Sequence, residues 1–266
     1  MNFKEDDMFN KPKINNDIYN DDAAGWWDEN SFLNVLETGI QPLRSEYIRK
    51  CLGKEKLEQP ISLDIGCGGG IIAEDLALLS KAVTGVDPSK ASLKTARDHA
   101  QLTNLSIEYL EAYAESLPFE DNSFDLITCC DVLEHVNDVP KVISEISRVL
   151  RPAGVFVYDT INRTLMSYLS VVFIAQDFPL TRFAPKNAHV WHKFIRPKEL
   201  DPLFDEFGLE RKEQCGMEPS VNPLTMLWYI LKLKYHSLDF AAFGAKTKFK
   251  ESNNKAISYL GYCVKK

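Results

Sequence analysis

The sequence predicts an α/β fold with a doubly wound, Rossmann-like sheet, and three observations carry that prediction. From Ile61 onward, short apolar runs alternate with amphipathic segments of helical length, the rhythm of βαβ units. The first run opens directly into a glycine-rich turn, "ISLDIGCGGGIIAEDLA", Ile61 to Ala77. The chain has 266 residues, 45% hydrophobic and 26% charged, enough for one domain with a single core.

Residues 1–55 read as an N-terminal helical cover. A polar, acidic start leads into "GWWDENSF" and then the helical "NVLETGIQPLRSEYIRKCLG". Residues 56–161 form the core. Its strands "ISLDIG", "AVTGVD", "IEYLEAYA", "FDLITCC" and "VFVYDTI" are expected from about 61, 82, 107, 124 and 155. Helices such as "PSKASLKTARDHAQL" and "VPKVISEISRVLRP" separate them. At 162–196 the rhythm breaks into a lid insertion carrying the apolar "LMSYLSVVFIAQDF". Residues 197–266 close the sheet, with a helix in "RPKELDPLFDEFG", strands from about 209 and 257, and an irregular insertion at 217–254. Insertions at the carboxyl ends of such strands build substrate pockets.

Charge narrows the function. The net charge is −7 and no Lys/Arg block is dense enough to track a phosphate backbone, which argues against nucleic acid as a partner. The start "MNFKEDDMFNKPK" lacks the apolar core of a signal peptide. No apolar run reaches the roughly 18 residues that span a bilayer. The six cysteines form no C-x-x-C pair and read as reduced thiols of a cytoplasmic protein.

The glycine turn places Gly66, Gly68, Gly69 and Gly70 where the first strand gives way to its helix. Glycines there permit a tight turn and the close approach of backbone amides to a ligand. A doubly wound sheet binds nucleotides at this point. A dinucleotide fingerprint counted from Gly66 needs glycine at 71, where the chain has Ile71. Asp64, beside the turn, would repel a pyrophosphate but suits the cationic amino-acid end of S-adenosylmethionine. Asp87 ends the second strand 21 residues after Gly66, the place for a carboxylate that accepts both ribose hydroxyls. Ala114 and Glu115 follow the third strand, where an adenine would lie. "CCDVLEHV" follows the fourth and faces the same crevice.

These features resemble class I S-adenosylmethionine-dependent methyltransferases, and more narrowly the UbiG-type O-methyltransferases of ubiquinone biosynthesis. The matching stretches are "AAGWWDENSF", "PLRSEYI", "LDIGCGGG", "VTGVD", "LEHV", "DTINRTLMSYL", "HKFIRP" and "ISYLGYCVK". The resemblance implies a seven-stranded sheet whose last strand is antiparallel and inserted beside the strand at 155. It implies that Arg44, Gly66, Asp87 and Cys130 line the cofactor, and that Asp131, Glu134 and His135 bind a divalent cation in some members. The chain departs from the family in having Asp131 in place of the usual Glu and "TGIQ" before "PLR". Its lid motif reads Lys186-Asn187-Ala188-His189-Val190, and its segment from Leu224 to Asn254 is longer. These departures leave the methyl-transfer chemistry intact and bear on the acceptor.

The implied reaction needs a nucleophilic oxygen in line with an electrophilic methyl carbon, with water excluded. Asp131, Glu134 and His135 fall at i, i+3 and i+4, so a helical turn would present them on one face. They would either hold Mg²⁺, Mn²⁺ or Zn²⁺ or supply a base. His189 in the lid is a second base candidate; His99 and His236 are assigned no role. Arg44 suits a bidentate contact to the cofactor carboxylate, with Gly68 among the cofactor-binding glycines. Trp26 and Trp27 read either as core anchors or as a cover over the cofactor. The apolar run within 163–182 reads either as a buried pocket lining or as a peripheral membrane contact for a prenylated aromatic substrate. Two rival functions stand beside O-methylation: methylation of another small-metabolite nucleophile, and a non-catalytic cofactor-binding module. The intact set of Asp64, Gly66, Asp87 and 131–135 favours an enzyme.

Overall fold

The computed structural model describes residues 12–266, and positions 1–11 of the expected cover lie outside them. One sheet organises the rest. Its strands are β1 (Ile61–Ile65), β2 (Ala82–Asp87), β3 (Glu108–Glu111), β4 (Phe124–Cys130), β5 (Leu150–Ile161), β6 (Leu209–Pro219), β7 (Phe249–Ser252) and β8 (Ser258–Lys265). Their spatial order is β3-β2-β1-β4-β5-β8-β6-β7. β1 to β5 pair in parallel, as βαβ connections require. β8 inserts antiparallel between β5 and β6, with Tyr158 opposite Gly261.

The helices are α1 (Ile18–Asp21), α2 (Gln41–Glu55), α3 (Ile71–Ala77), α4 (Lys90–Leu102), α5 (Val139–Val149), α6 (Leu165–Ser167), α7 (Pro197–Glu206), α8 (Pro223–Lys234) and α9 (Phe240–Thr247). Their starts are locally encoded. Ser89 caps α4 by accepting the Ser92 N–H, and Asp138 caps α5 by accepting the Lys141 N–H, with Pro140 in its first turn. Apolar alternation along the strands then fixes two cores. Ile127, Phe156 and Tyr158 face α5 and α7, where Ile143, Ile146, Leu200 and Phe204 lie. Leu126, Val157 and Leu260 face the opposite layer, with Tyr47 and Ile48 of α2, Leu76 of α3 and Leu93 of α4. The result is a helix–sheet–helix sandwich.

The structure corrects the sequence reading in three places. The sheet has eight strands rather than seven, because Phe249–Ser252 pairs antiparallel with the end of β6. β5 begins at Leu150 rather than near 155, continuing through a bulge that lets both Leu150 and Val155 pair with β4. The insertion at 217–254 is mostly helical rather than irregular. Asn222 caps α8 by accepting the Thr225 N–H, and Asp239 caps α9 by accepting the Ala242 N–H. The lid is helical as expected, but from Tyr168 to Asp177 it winds in wide π turns.

Candidate active site

The strand order changes direction between β1 and β4, so the connections leaving their carboxyl ends part and open a crevice. A cavity of about 320 Å³ lies there, at the lower end of the size range of ligand pockets, roughly 300–1,000 Å³. Arg44, Gly66, Asp87, Ala114, Glu115 and Cys130 all line it, as the sequence reading expects. Gly66 has φ +68, and a Cβ there would come within 2.3 Å of Val132 Cγ2. Any side chain at this turn would collide with the wall of the crevice.

The remaining expected cofactor residues, Gly68 and Asp64, do not line the cavity. The Gly68 N–H donates to Asp87 Oδ2 at 3.0 Å, and the place of its missing Cβ is filled by the Trp26 ring, at 2.4 Å from an added Cβ. Trp27 donates its indole N–H to the Gly69 carbonyl at 2.8 Å. Trp27 thus anchors the turn, whereas Trp26 is buried, packs on the glycine turn and lines the cavity. Asp64 stands behind the turn, fully buried. Thr128 donates to its Oδ1 at 2.7 Å, while Oδ2 has no partner among the described residues. Burial pushes this carboxyl up to about 7.

Asp87 also accepts the Ser89 N–H at 2.7 Å, and burial raises its carboxyl. Glu115 accepts the Asn137 N–H at 2.9 Å, joining the turns after β3 and β4. Arg44 is buried with two carboxylates. Its Nε and one terminal nitrogen donate to Asp159 at 2.7 and 2.9 Å, and that same nitrogen donates to Asp131 at 2.5 Å. Burial opposes the charge on Arg44, but the two acids outweigh it and hold the guanidinium protonated.

Residues 131–137 form a chain of turns rather than the helical turn expected from the i, i+3, i+4 spacing. Asp131 consequently faces Arg44, and Glu134 and His135 converge instead on His189 of the lid. Ligand atoms of these three lie within 4.8 Å of one another, and the two imidazole rings meet edge to face with centroids 5.4 Å apart. Glu134 accepts the Thr160 hydroxyl at 2.7 Å on one oxygen, and its Oε1 is buried without a partner among the described residues. Burial, reinforced by Asp131, pushes Glu134 up to about 8. Burial drives His135 down to about 3 and lowers His189. Burial thus favours the uncharged form of all three groups.

Two residues of this site carry no sequence signal. Asn16 Oδ1 lies 3.0 Å from His135 Nδ1, and the Tyr19 hydroxyl lies 3.4 Å from its Nε2. Both belong to the polar start of the chain, whose composition says nothing of what it covers. His99, given no role from sequence, stacks on Trp27 with centroids 3.5 Å apart and lies 2.7 Å from Glu74.

Crevice, covered glycine turn, the carboxylate that ends β2 and the lid together define a class I S-adenosylmethionine-dependent methyltransferase. Residues 63–158 match the Methyltransferase domain family. The Ubiquinone biosynthesis O-methyltransferase of Alkalilimnicola ehrlichii is 38% identical over 203 residues, covering 76% of this chain and 79% of the relative. That of Nitrosococcus oceani is 38% identical over 225 residues, covering 84% and 91%. The chain belongs to the ubiquinone biosynthesis O-methyltransferase family. Among solved structures, the YcgJ protein of Bacillus subtilis superposes with TM-score 0.59 at 20% identity over 83% of this chain and 98% of that one. A methyltransferase from Thermotoga maritima superposes with TM-score 0.58 at 20% identity over 92% and 96%. At these identities they share the fold.

Two predictions follow from the geometry. Asp87→Ala is expected to weaken S-adenosylmethionine binding by roughly 1.5–3 kcal/mol, the scale of lost hydrogen bonds to a charged group, as read by calorimetry on a variant whose melting confirms folding. Asp64 supplies a pH signature. Its carboxyl holds a proton in the folded state from its ordinary 3.8 up to about 7, a window in which the unfolded chain releases it. Stability from this group therefore declines as pH rises through that window. Thermal unfolding of the ligand-free protein should show a shallower decline in Asp64→Asn.

Proposed function

We propose that the protein transfers the methyl group of S-adenosylmethionine to a hydroxyl of a hydroxylated aromatic, either catechol-like or a polyprenylated phenol or quinol. The observation that carries this reading is the convergence of Glu134, His135 and His189, with His135 on the wall of the cofactor cavity. The names of the relatives support the same substrate class.

The cofactor, when bound, supplies an electrophilic methyl carbon on a sulfonium. The cavity suits it: Asp87 would accept from the ribose and Arg44 would meet the carboxylate, with Asp64 buried behind the glycine turn. A phenol near pKa ~10, by analogy with tyrosine, stays protonated at neutral pH, so its proton must be removed or its oxygen polarised. Burial raises the Glu134 carboxyl and favours its protonated form, which suits it to hold a proton rather than to take one. His135 is tied by Asn16 and Tyr19 and is a weak base after its downward shift. The His189 ring meets His135 and Phe194 edge to face and has no hydrogen-bond partner among the described residues. Asp131 partly offsets the downward pull of burial on it, and we take His189 as the base.

The same group of residues fits a cation, because the buried Glu134 Oε1 lacks a partner. With Asp131 turned to Arg44, the donors are one carboxylate and two imidazoles, which favours Mn²⁺ or Zn²⁺ over Mg²⁺. A cation held there would lower the pKa of an acceptor hydroxyl.

Peripheral membrane contact belongs to this proposal. Among the described residues no helix is long and apolar enough to cross a membrane. The lid exposes Leu165, Met166 and Leu180, and the α8 region exposes Leu224, Trp228 and Tyr235. The two elements share a small core through Ile174 and Ile230, so these side chains belong to neighbouring elements. Lys232 lies over the Trp228 ring at 5.0 Å, and Arg182 and Lys234 add cations, as at an anionic interface.

Methyl transfer to a panel of catechols, with and without chelator, tests the chemistry. His189→Ala is expected to lower kcat by about 10²–10⁴-fold, with cofactor affinity retained. A cation mechanism adds chelator sensitivity, rescue by Mn²⁺ or Zn²⁺, and comparable losses in Glu134→Gln and His135→Ala. Full turnover by His189→Ala would exclude it as base. Flotation with anionic vesicles tests the surface: the folded protein should rise with them, and Leu224→Asp combined with Leu165→Asp should leave it at the bottom.

A further inference from the structure

Arg44 is the sole Lys or Arg among the described residues lining the cofactor cavity, beside Asp17, Asp87, Glu115 and Asp131. A ligand carboxylate entering this acidic cavity has that one cation to meet. The guanidinium already holds two carboxylates, and they differ in kind. Asp159 is completely buried, is gripped through two nitrogens and also accepts the Asp131 N–H at 3.0 Å. It does not line the cavity. Asp131 binds through one nitrogen, lines the cavity and leaves 23% of its side chain exposed. Asp159 alone neutralises Arg44, so Asp131 adds a surplus negative charge on the edge that a ligand must reach.

We propose that Asp131 is an exchangeable ligand of Arg44. It occupies the cavity-facing edge of the guanidinium until the carboxylate of the cofactor takes its place, and it then turns toward His135 and His189. This rests on the reading of the cavity as the S-adenosylmethionine site with its carboxylate at Arg44. Substituting one carboxylate for another preserves the charge balance of a buried guanidinium, whereas adding a third would break it. A destination exists on the other side, since Asp131 and His135 line the same cavity and His135 meets His189 edge to face. Cofactor binding thus delivers an acid to the acceptor side of the site, making Asp131 a positioning residue that links the two halves.

The test is calorimetry with two probes that share the nucleoside: S-adenosylhomocysteine, which carries the carboxylate, and 5′-methylthioadenosine, which lacks it. Asp131 has φ +53, a left-handed conformation that asparagine tolerates, so Asp131→Asn removes the charge and keeps the shape. Asp131→Gly, free at that φ, is the second variant. Asp131→Asn should bind S-adenosylhomocysteine about tenfold tighter than the parent, the scale by which a charged hydrogen-bond acceptor exceeds a neutral one, while 5′-methylthioadenosine changes by no more than about twofold. Unchanged or weaker binding of S-adenosylhomocysteine by the folded variants would overturn the exchange, as would equal tightening of both probes. Failure of the parent protein to bind either probe would instead remove the cofactor reading and the exchange with it.

Discussion

Asp159 holds the site together. One buried carboxylate takes two donors from Arg44 of α2 and the backbone N–H of Asp131. It thereby joins three parts of the chain that are far apart in sequence: the N-terminal cover, the end of β5 and the turn after β4. A guanidinium buried without a counter-ion is strongly destabilising, so α2 must dock where Asp159 is, and the cover must follow. Burial and Asp131 raise the Asp159 carboxyl to about 6, even with Arg44 pulling it down. It is ionised at neutral pH because its partner is there.

From that anchor the cover closes the cavity from above. The Tyr19 carbonyl accepts the hydroxyls of Ser89 and Ser92 at the start of α4, its ring stacks on Trp26, and Trp26 in turn occupies the space the loop glycines leave empty. The Asn15 N–H donates to the Asn187 carbonyl at 2.9 Å, so the cover also touches the lid. Part of what the glycines admit is the chain itself. Their lack of side chains serves a tryptophan at Gly68 and Gly69 and a clear cavity wall at Gly66.

How much of this was readable follows from how local each cause is. The succession of β1 to β5 and the cavity positions of Gly66 and Asp87 depend on short-range pattern, and the sequence displays them; the place of Cys130 came through resemblance. The position of β8 came through resemblance, because its mixed alternation does not reveal a direction. β7 escaped because "FKES" is a short edge strand without apolar alternation. The α8 and α9 helices escaped because they are apolar on several faces and show no clean period. The turn at 131–137 escaped for a different reason. Asp131 is in left-handed backbone and is held by Arg44 and Asp159, so residues 87 and 28 positions away overrode a spacing that reads as helical. Asn16, Tyr19 and His189 meet His135 only through tertiary packing, which no window of sequence contains.

The balance of charge in the cavity bears on turnover. The lining places one cation against four acids, and the buried Asp159 already offsets that cation. Such a cavity favours a ligand with net positive charge. On the proposed reading, methyl transfer removes the sulfonium charge, so the product leaves a site that no longer attracts it as strongly as it attracted the substrate cofactor. The acids that disfavour a dinucleotide at this turn thus also favour exchange of spent cofactor for fresh. The neutral state of Glu134, His135 and His189 fits the same scheme. A proton taken from an acceptor hydroxyl can rest on an uncharged imidazole, and Asp131, whose charge favours the protonated form of both rings, stabilises the new imidazolium.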